Sequence, residues 1–221
     1  MQLVVFTAMV GATDAVLPVR PEPDIEFVCF TDGTERVPGW RMERIDRGNP
    51  RATARSIKVR PDHYFPDAEW SLWVDASFRF LVPAAEILRA GLVTGCSIVG
   101  FRHPDRQRIT DEARSIIRAA QAPAGAVTAQ VAAYQREGFD TPENPQRVIT
   151  TTGLLLRQRT PEVAAFNALW SEQLQLTLRD QLSIDYCAWR RGIPIGYWSG
   201  HYRDNPLAAY ERRGRARRKV A

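Results

Sequence analysis

Trp70-Ser71-Leu72-Trp73-Val74-Asp75-Ala76-Ser77 is the stretch on which the fold turns. Its first five residues suit a strand buried near the middle of a sheet, and the run stops at a carboxylate in a polar turn. Upstream, residues 2–8 and 25–30 (IEFVCF) have the same strand character. They end at the turn-prone segments Gly11-Ala12-Thr13-Asp14 and Thr31-Asp32-Gly33. Residues 41–50 are polar and read as irregular, while 51–60 suit a short helix stopped by Pro61. Downstream, a helix is expected over 83–90 and a strand over 97–101. Two helices follow over 110–120 and 124–137, parted by Pro123, and then a strand over 148–157 (VITTTGLLLR).

The next segment is a capped amphipathic helix. Thr160-Pro161-Glu162 opens it, and Val163, Phe166, Leu169, Trp170 and Leu174 recur at helical spacing. A last helix starts near Asp180, with Leu182, Tyr186 and Trp189 on one face and Gly192 at its end. A short strand over 193–198 completes the series. Strands alternating with helices predict one α/β sheet covered on both faces.

The charge balance supports a neutral body with a basic appendage. The 221 residues carry 30 Lys and Arg against 25 Asp and Glu, for a net charge of +5. Residues 211–221 (ERRGRARRKVA) hold that whole excess, so residues 1–210 are neutral. A nucleic-acid-binding domain would spread basic charge over a folded face, so no specific nucleic-acid partner is expected. The domain is assigned to 1–205 and a basic tail to 206–221. That tail suits salt-sensitive binding to an anionic membrane surface or to nucleic acid, or a solubilising role. Cys29, Cys96 and Cys187 stand far apart among apolar residues, as buried thiols of a reducing compartment do. The N-terminal MQLVVFTAMVG reads as a strand rather than a signal peptide. The expected location is therefore the cytoplasm, with the tail able to reach the inner face of a membrane.

Candidate site residues gather at strand ends, where open α/β sheets bind ligands. Thr7, Asp32, Asp75 with Ser77, and Thr151-Thr152-Gly153 occupy four such ends. No G-x-G-x-x-G follows the first strand and no P-loop motif occurs, which excludes the common dinucleotide and NTPase signatures. Asp75 can hold a divalent cation that bridges phosphates, or cap its own turn. Asp180 and Gln181 can orient a hydroxyl or stabilise a developing cation, or merely start a helix. Arg55 and Lys58, one helical turn apart, can contact a diphosphate or form a solvated face. Lys58 is the only lysine outside the tail. His103 and His201 each follow a strand, without the spacing of a zinc site.

In this order, VVFTAMVGATD, IEFVCFTD, ARSIKVRPDHYFPDAEWSLWVDASF, FRHPDRQRITDEA and TTTGLLLRQRTPEVAAFNALWSEQLQLTLRDQLSIDYCAW resemble one family. It is the glycosyltransferase-like family of bacterial and plant domains whose plant members include mucilage-related proteins. The resemblance covers most of residues 3–198. It implies a single-domain GT-A-like nucleotide-diphospho-sugar transferase fold with a mixed, mostly parallel sheet. It also implies transfer of a sugar from a nucleotide-sugar donor to a glycan or lipid-linked acceptor, assisted by Mn²⁺ or Mg²⁺. Asp75 matches the family's metal-binding acidic position, Ser77 stands where a second acidic residue is usual, and His201 is the later histidine that can complete the site. Asp180-Gln181 is similar to the pair near the transferred sugar, and His103 and Arg106 match an H-x-x-R segment. A fold that binds nucleotide sugars without catalysis is the alternative, motivated by Ser77.

Overall fold

The computed structural model describes residues 2–11, 15–46 and 48–211. The chain begins with β1 (Leu3–Met9), β2 (Ile25–Thr31) and β3 (Arg41–Arg44), then α1 (Pro50–Val59) and the single turn α2 (Pro61–Tyr64). The decisive stretch forms β4 (Trp70–Val74), followed by the short β5 (Phe78–Phe80) and α3 (Ala84–Leu92). Next come β6 (Ile98–Arg102), α4 (Ile109–Arg118), α5 (Ala124–Arg136) and β7 (Thr150–Gln158). The chain closes through α6 (Pro161–Gln173), α7 (Asp180–Arg191), β8 (Ile195–His201) and β9 (Ala208–Tyr210).

Seven strands make one sheet in the order β3-β2-β1-β4-β7-β6-β8, with all five residues of β4 buried at its centre. Every strand runs parallel except β7, which is antiparallel to both β4 and β6. That reversal brings the start of β7, Thr150 to Gly153, to the edge where the parallel strands end. The expected single α/β domain with a mixed, mostly parallel sheet is thus observed, and its layout is GT-A-like.

Period-two alternation sends the side chains of each strand into two cores. Val4, Phe6, Val28, Phe30 and Trp73 pack on one face against α1 and α4 to α7. Leu3, Val5, Phe27, Leu72 and Val74 pack on the other against α3 and the segment around Val16 and Trp40. Glu22 in that segment caps α3 by accepting from the backbone N–H of Ala84 (2.6 Å) and Ala85 (3.1 Å).

Local chemistry explains most boundaries. The Asn49 side chain accepts from Ala52 N at 3.1 Å to start α1, and Thr160 accepts from Val163 N at 3.2 Å to start α6. Gly192, at φ 65°, ends α7 in the left-handed conformation that glycine adopts most readily. As expected, the helix ahead of Pro61 stops there, with α1 ending at Val59 and Arg60 as its cap, and Pro61 then opens α2 as a first-turn proline. Two expectations need correction. Residues 41–44 are not irregular but form edge strand β3, whose half-exposed Arg-Met-Glu-Arg lacks an apolar signature. The tail does not begin at residue 206, because β9 pairs with β5 in a small second sheet. Residues 212–221, and with them the proposed membrane-binding stretch, lie outside the described residues. Among the described residues no helix is long and apolar enough to cross a membrane.

Candidate active site

The last turn of α1, the end of β4, the start of β7 and the first residue of α7 meet at one end of the sheet. Asp180 is the hub. Its Oδ2 accepts from Lys58 Nζ at 2.6 Å, Thr152 Oγ1 at 2.7 Å and Arg55 at 3.1 Å. Burial pushes this carboxyl up, but the charges of Arg55 and Lys58 outweigh that and hold it well below the usual carboxylate range. Asp180 is thus ionised, and its side chain bonds across the site instead of capping α7.

Lys58 is completely buried. Its ammonium also lies 3.5 Å from Asp75 Oδ1 and 5.4 Å from the centre of the Trp73 ring. Burial pulls its pKa down, against the opposing pull of Asp180 and Asp75. The same Asp75 oxygen accepts from Trp73 Nε1 at 2.6 Å. Asp75 thereby joins the cluster at a partly exposed position, whereas Asp180 is enclosed.

Asp180, Asp75, Arg55 and Thr152 line a pocket of about 180 Å³ with Arg106, Arg179, His103, Gln181, Thr151, Gly153, Phe78 and two tyrosines, Tyr202 and Tyr210. Arg106 and Gln181 are both held by the buried Glu112: Arg106 pairs with it, and Gln181 Nε2 donates to it at 2.9 Å. Arg106 Nε also lies 2.9 Å from His103 Nε2. Burial and then the Arg106 charge lower the His103 pKa to about 4, so the ring is neutral near pH 7. The buried Nε of Arg179 has no hydrogen-bond partner among the described residues.

A second cleft of about 610 Å³ adjoins this pocket and shares Asp75 and Phe78 with it. Val16, Trp40, Phe80 and Pro83 make much of it apolar, and the buried Thr7 lies on its wall. Thr7 Oγ1 has no hydrogen-bond partner among the described residues.

The sequence-expected residues therefore separate. Asp75, Arg55, Thr152, Gly153, His103, Arg106, Asp180 and Gln181 line one pocket, Lys58 lies beneath it, and Thr7 faces the adjoining cleft. Asp32 lines neither cavity; it accepts from Gly11 N at 3.1 Å and fixes the turn after β1. Ser77 also stays outside, with its carbonyl accepting from Glu211 N. His201 sits in a turn closed by backbone bonds with Asp204. Lys58 belongs to no solvated helix face. Glu112 and the two tyrosines were missed, because a glutamate in an ordinary Thr-Asp-Glu-Ala helix start carries no mark of burial. Arg179 carries no sequence signal of its own beyond its place before Asp180.

The donor set around Asp75 does not suit a divalent cation. Its Oδ1 is taken by an ammonium and an indole N–H, and among the described residues no three His, Cys, Asp or Glu side chains converge as a metal site. The Lys58 ammonium, 3.5 Å from Oδ1, opposes a dication at this carboxylate.

The TOD1/MUCI70 glycosyltransferase-like domain matches residues 29–194, three quarters of the chain and all of the pocket's core from Arg55 to Gln181. The chain belongs to the TOD1/MUCI70 family. A relative in Arabidopsis thaliana, "Probable hexosyltransferase MUCI70", is 26% identical over a 162-residue alignment that covers 69% of this chain. The alignment covers 28% of that relative, so the family domain described here spans little more than a quarter of its length. Among solved structures, A197 from STIV aligns over 98% of this chain and 97% of its own, at 12% identity and a TM-score of 0.44. Every TOD1/MUCI70 residue that forms the Asp180 hub lies within the matched segment.

Proposed function

We propose that this chain is a glycosyltransferase that moves a hexosyl or related sugar from a nucleotide-sugar donor to a glycan or lipid-linked acceptor. The observation that carries the reading is the convergence of three guanidinium groups, Arg55, Arg106 and Arg179, on a small pocket whose wall holds the ionised Asp180. A leaving nucleoside diphosphate gains negative charge as the glycosidic bond breaks. Guanidinium forks match phosphate oxygens in geometry as well as charge, and they act most strongly where water is excluded. Arg179, with a buried N–H lacking a partner, is suited to gain one from such a ligand.

The anionic side of the site suits the sugar. An oxocarbenium-like carbon develops positive charge, and Asp75 and Asp180 supply negative charge within the same pocket. Gln181 follows Asp180 on α7 and is fixed by Glu112, so its position is set before substrate arrives. The adjoining cleft, with Trp40, Val16 and the Thr7 hydroxyl, is suited in size and polarity to the nucleoside. Its shared wall at Asp75 and Phe78 would place the diphosphate between the two cavities. Family membership and the Arabidopsis relative support the reaction class.

The test is a thermal-shift and calorimetric screen of UDP- and GDP-sugars, followed by hydrolysis and transfer assays. A donor should raise the melting temperature of the wild type. Arg106→Ala and Arg179→Ala should each weaken its binding about tenfold or more. If no nucleotide sugar binds, or if both variants bind as the wild type does, the reading fails.

A further inference from the structure

An ammonium without solvent survives in a protein only when opposite charges or hydrogen bonds replace the water it has lost. Lys58 meets that condition through two carboxylates that come from distant parts of the chain, Asp180 at 2.6 Å and Asp75 at 3.5 Å. The ammonium is also held in place from behind. Arg157, itself fully buried, donates to the backbone carbonyls of Lys58 and Val59 and so pins the last turn of α1 against β7. Asp75 is further fixed by Trp73 Nε1. The carboxylate that would be expected to hold an exchangeable dication therefore already has a permanent, covalently tethered counter-charge.

We propose that this is a metal-independent site in which the Lys58 ammonium replaces the divalent cation. Lys58 bridges Asp75 and Asp180, offsetting part of their negative charge, and organises the floor of the pocket. The charge of the diphosphate is met by the three arginines above it. A fixed single charge offsets less than a dication does, which gives a physical reason for so many guanidinium groups around one small pocket. With Oδ1 engaged by Lys58 and Trp73, Asp75 is left to accept from a sugar hydroxyl. The assignment of the anion to a donor diphosphate rests on the glycosyl-transfer reading, whereas the exclusion of a cation from Asp75 does not.

The deciding experiment is a Mn²⁺ titration of the full chain, without nucleotide, read by the paramagnetic resonance signal of free Mn²⁺. The wild type should leave that signal unchanged up to millimolar metal. Lys58→Ala, which strips two carboxylates of their shared cation, should take up Mn²⁺, and adding Asp75→Asn to it should abolish the uptake. Should Lys58→Ala fail to fold, wild type and Asp75→Asn alone suffice. One equivalent bound by the wild type and lost in Asp75→Asn overturns the proposal. Calorimetry with UDP and GDP adds an independent arm. Equal affinity in EDTA and in Mn²⁺ supports the proposal, and a Mn²⁺-dependent tightening of about tenfold or more that Asp75→Asn removes overturns it. Absence of nucleotide binding under both conditions defeats the glycosyl-transfer reading and leaves the metal titration to decide this one.

Discussion

Lys58 Nζ lies 2.6 Å from Asp180 Oδ2, so the final turn of α1 is joined to the first residue of α7 by an ion pair with almost no solvent access. Removing either partner leaves the other's buried charge with one longer ion pair, Arg55 for Asp180 or Asp75 for Lys58, at a cost of up to about 3–5 kcal/mol. Lys58→Met and Asp180→Asn should each destabilise the fold by that order. The double variant should lose less than the sum by about 2 kcal/mol or more, since the two groups interact directly. Urea unfolding of the four proteins measures this coupling. Strictly additive losses would show that the contact carries no energy.

Arg157 supports that pair from behind. Beyond its bonds to the carbonyls of Lys58 and Val59, it donates to Asn167 Oδ1 at 2.8 Å and lies over the Trp170 ring. Burial lowers its pKa to about 9, so it remains a cation at neutral pH. Arg157→Met leaves several buried acceptors without a donor and should cost about 3 kcal/mol. Arg157→Lys should fall between, because a single ammonium cannot reproduce the guanidinium fork. Equal chemical-denaturation midpoints for all three proteins would contradict this role.

These two side chains also show how far the sequence is legible. The strand–helix alternation identifies the fold class, and the carboxyl end of a central strand identifies Asp75, whereas Thr152 and Gly153, expected at another such end, lie near the start of β7. Helical spacing correctly puts Arg55 and Lys58 one turn apart. It does not say which of the two faces the interior, and Lys58 is the enclosed one. Arg157 follows Leu154, Leu155 and Leu156 and reads as the point where an apolar run stops, although it too is buried. Both placements depend on partners far away in the chain, and local pattern carries no record of them. Strand direction is equally hidden. Only the sheet shows that β7 runs backwards and so delivers its first residues to the pocket. The three- and four-residue strands β3, β5 and β9 are too short to show a period.

Gly153 is where the backbone of β7 must stay bare. A Cβ there would lie 2.5 Å from Phe78 Cε2, 3.1 Å from Phe78 Cζ and 3.3 Å from Asp75 Oδ2. Phe78 is buried and cannot swing into solvent, so Gly153→Ala should push the ring against the shared wall of the two cavities. Overpacking of this kind costs about 1–3 kcal/mol. The larger effect should fall on ligand affinity, since Phe78 and Asp75 line both cavities, with nucleotide-sugar binding weakened about tenfold or more. Calorimetry beside a melting curve separates the two effects. Wild-type affinity in Gly153→Ala would show that the wall is not used.

Asp185, on α7 one turn beyond Gln181, sets a pH dependence of stability. Its carboxyl accepts from Thr150 N at 3.0 Å and from Thr150 Oγ1, which also contacts Tyr197 OH at 3.0 Å. Among the described residues no cation pairs with it, and burial raises its pKa from 3.8 to about 6, with Glu112 adding to the rise and bonds from Thr150 and Gln146 opposing it. Between those two values the folded state keeps a proton that the unfolded chain has released. Stability from this group is therefore complete below pH 3.8, falls as pH rises through the window, and stays lower above pH 6. At about 1.4 kcal/mol per pH unit, the loss amounts to roughly 3 kcal/mol. Asp185→Asn keeps an acceptor for Thr150 N and offers its amide to the hydroxyl, while removing the titration. It should be more stable than the wild type by about 1–3 kcal/mol at pH 7.5, or several degrees of Tm for a chain of this length. The gain should fall by about 2 kcal/mol between pH 7.5 and pH 4.5. Thermal melts of both proteins across that range are the check, and a gain of the same size at both ends would mean that Asp185 does not titrate in the window.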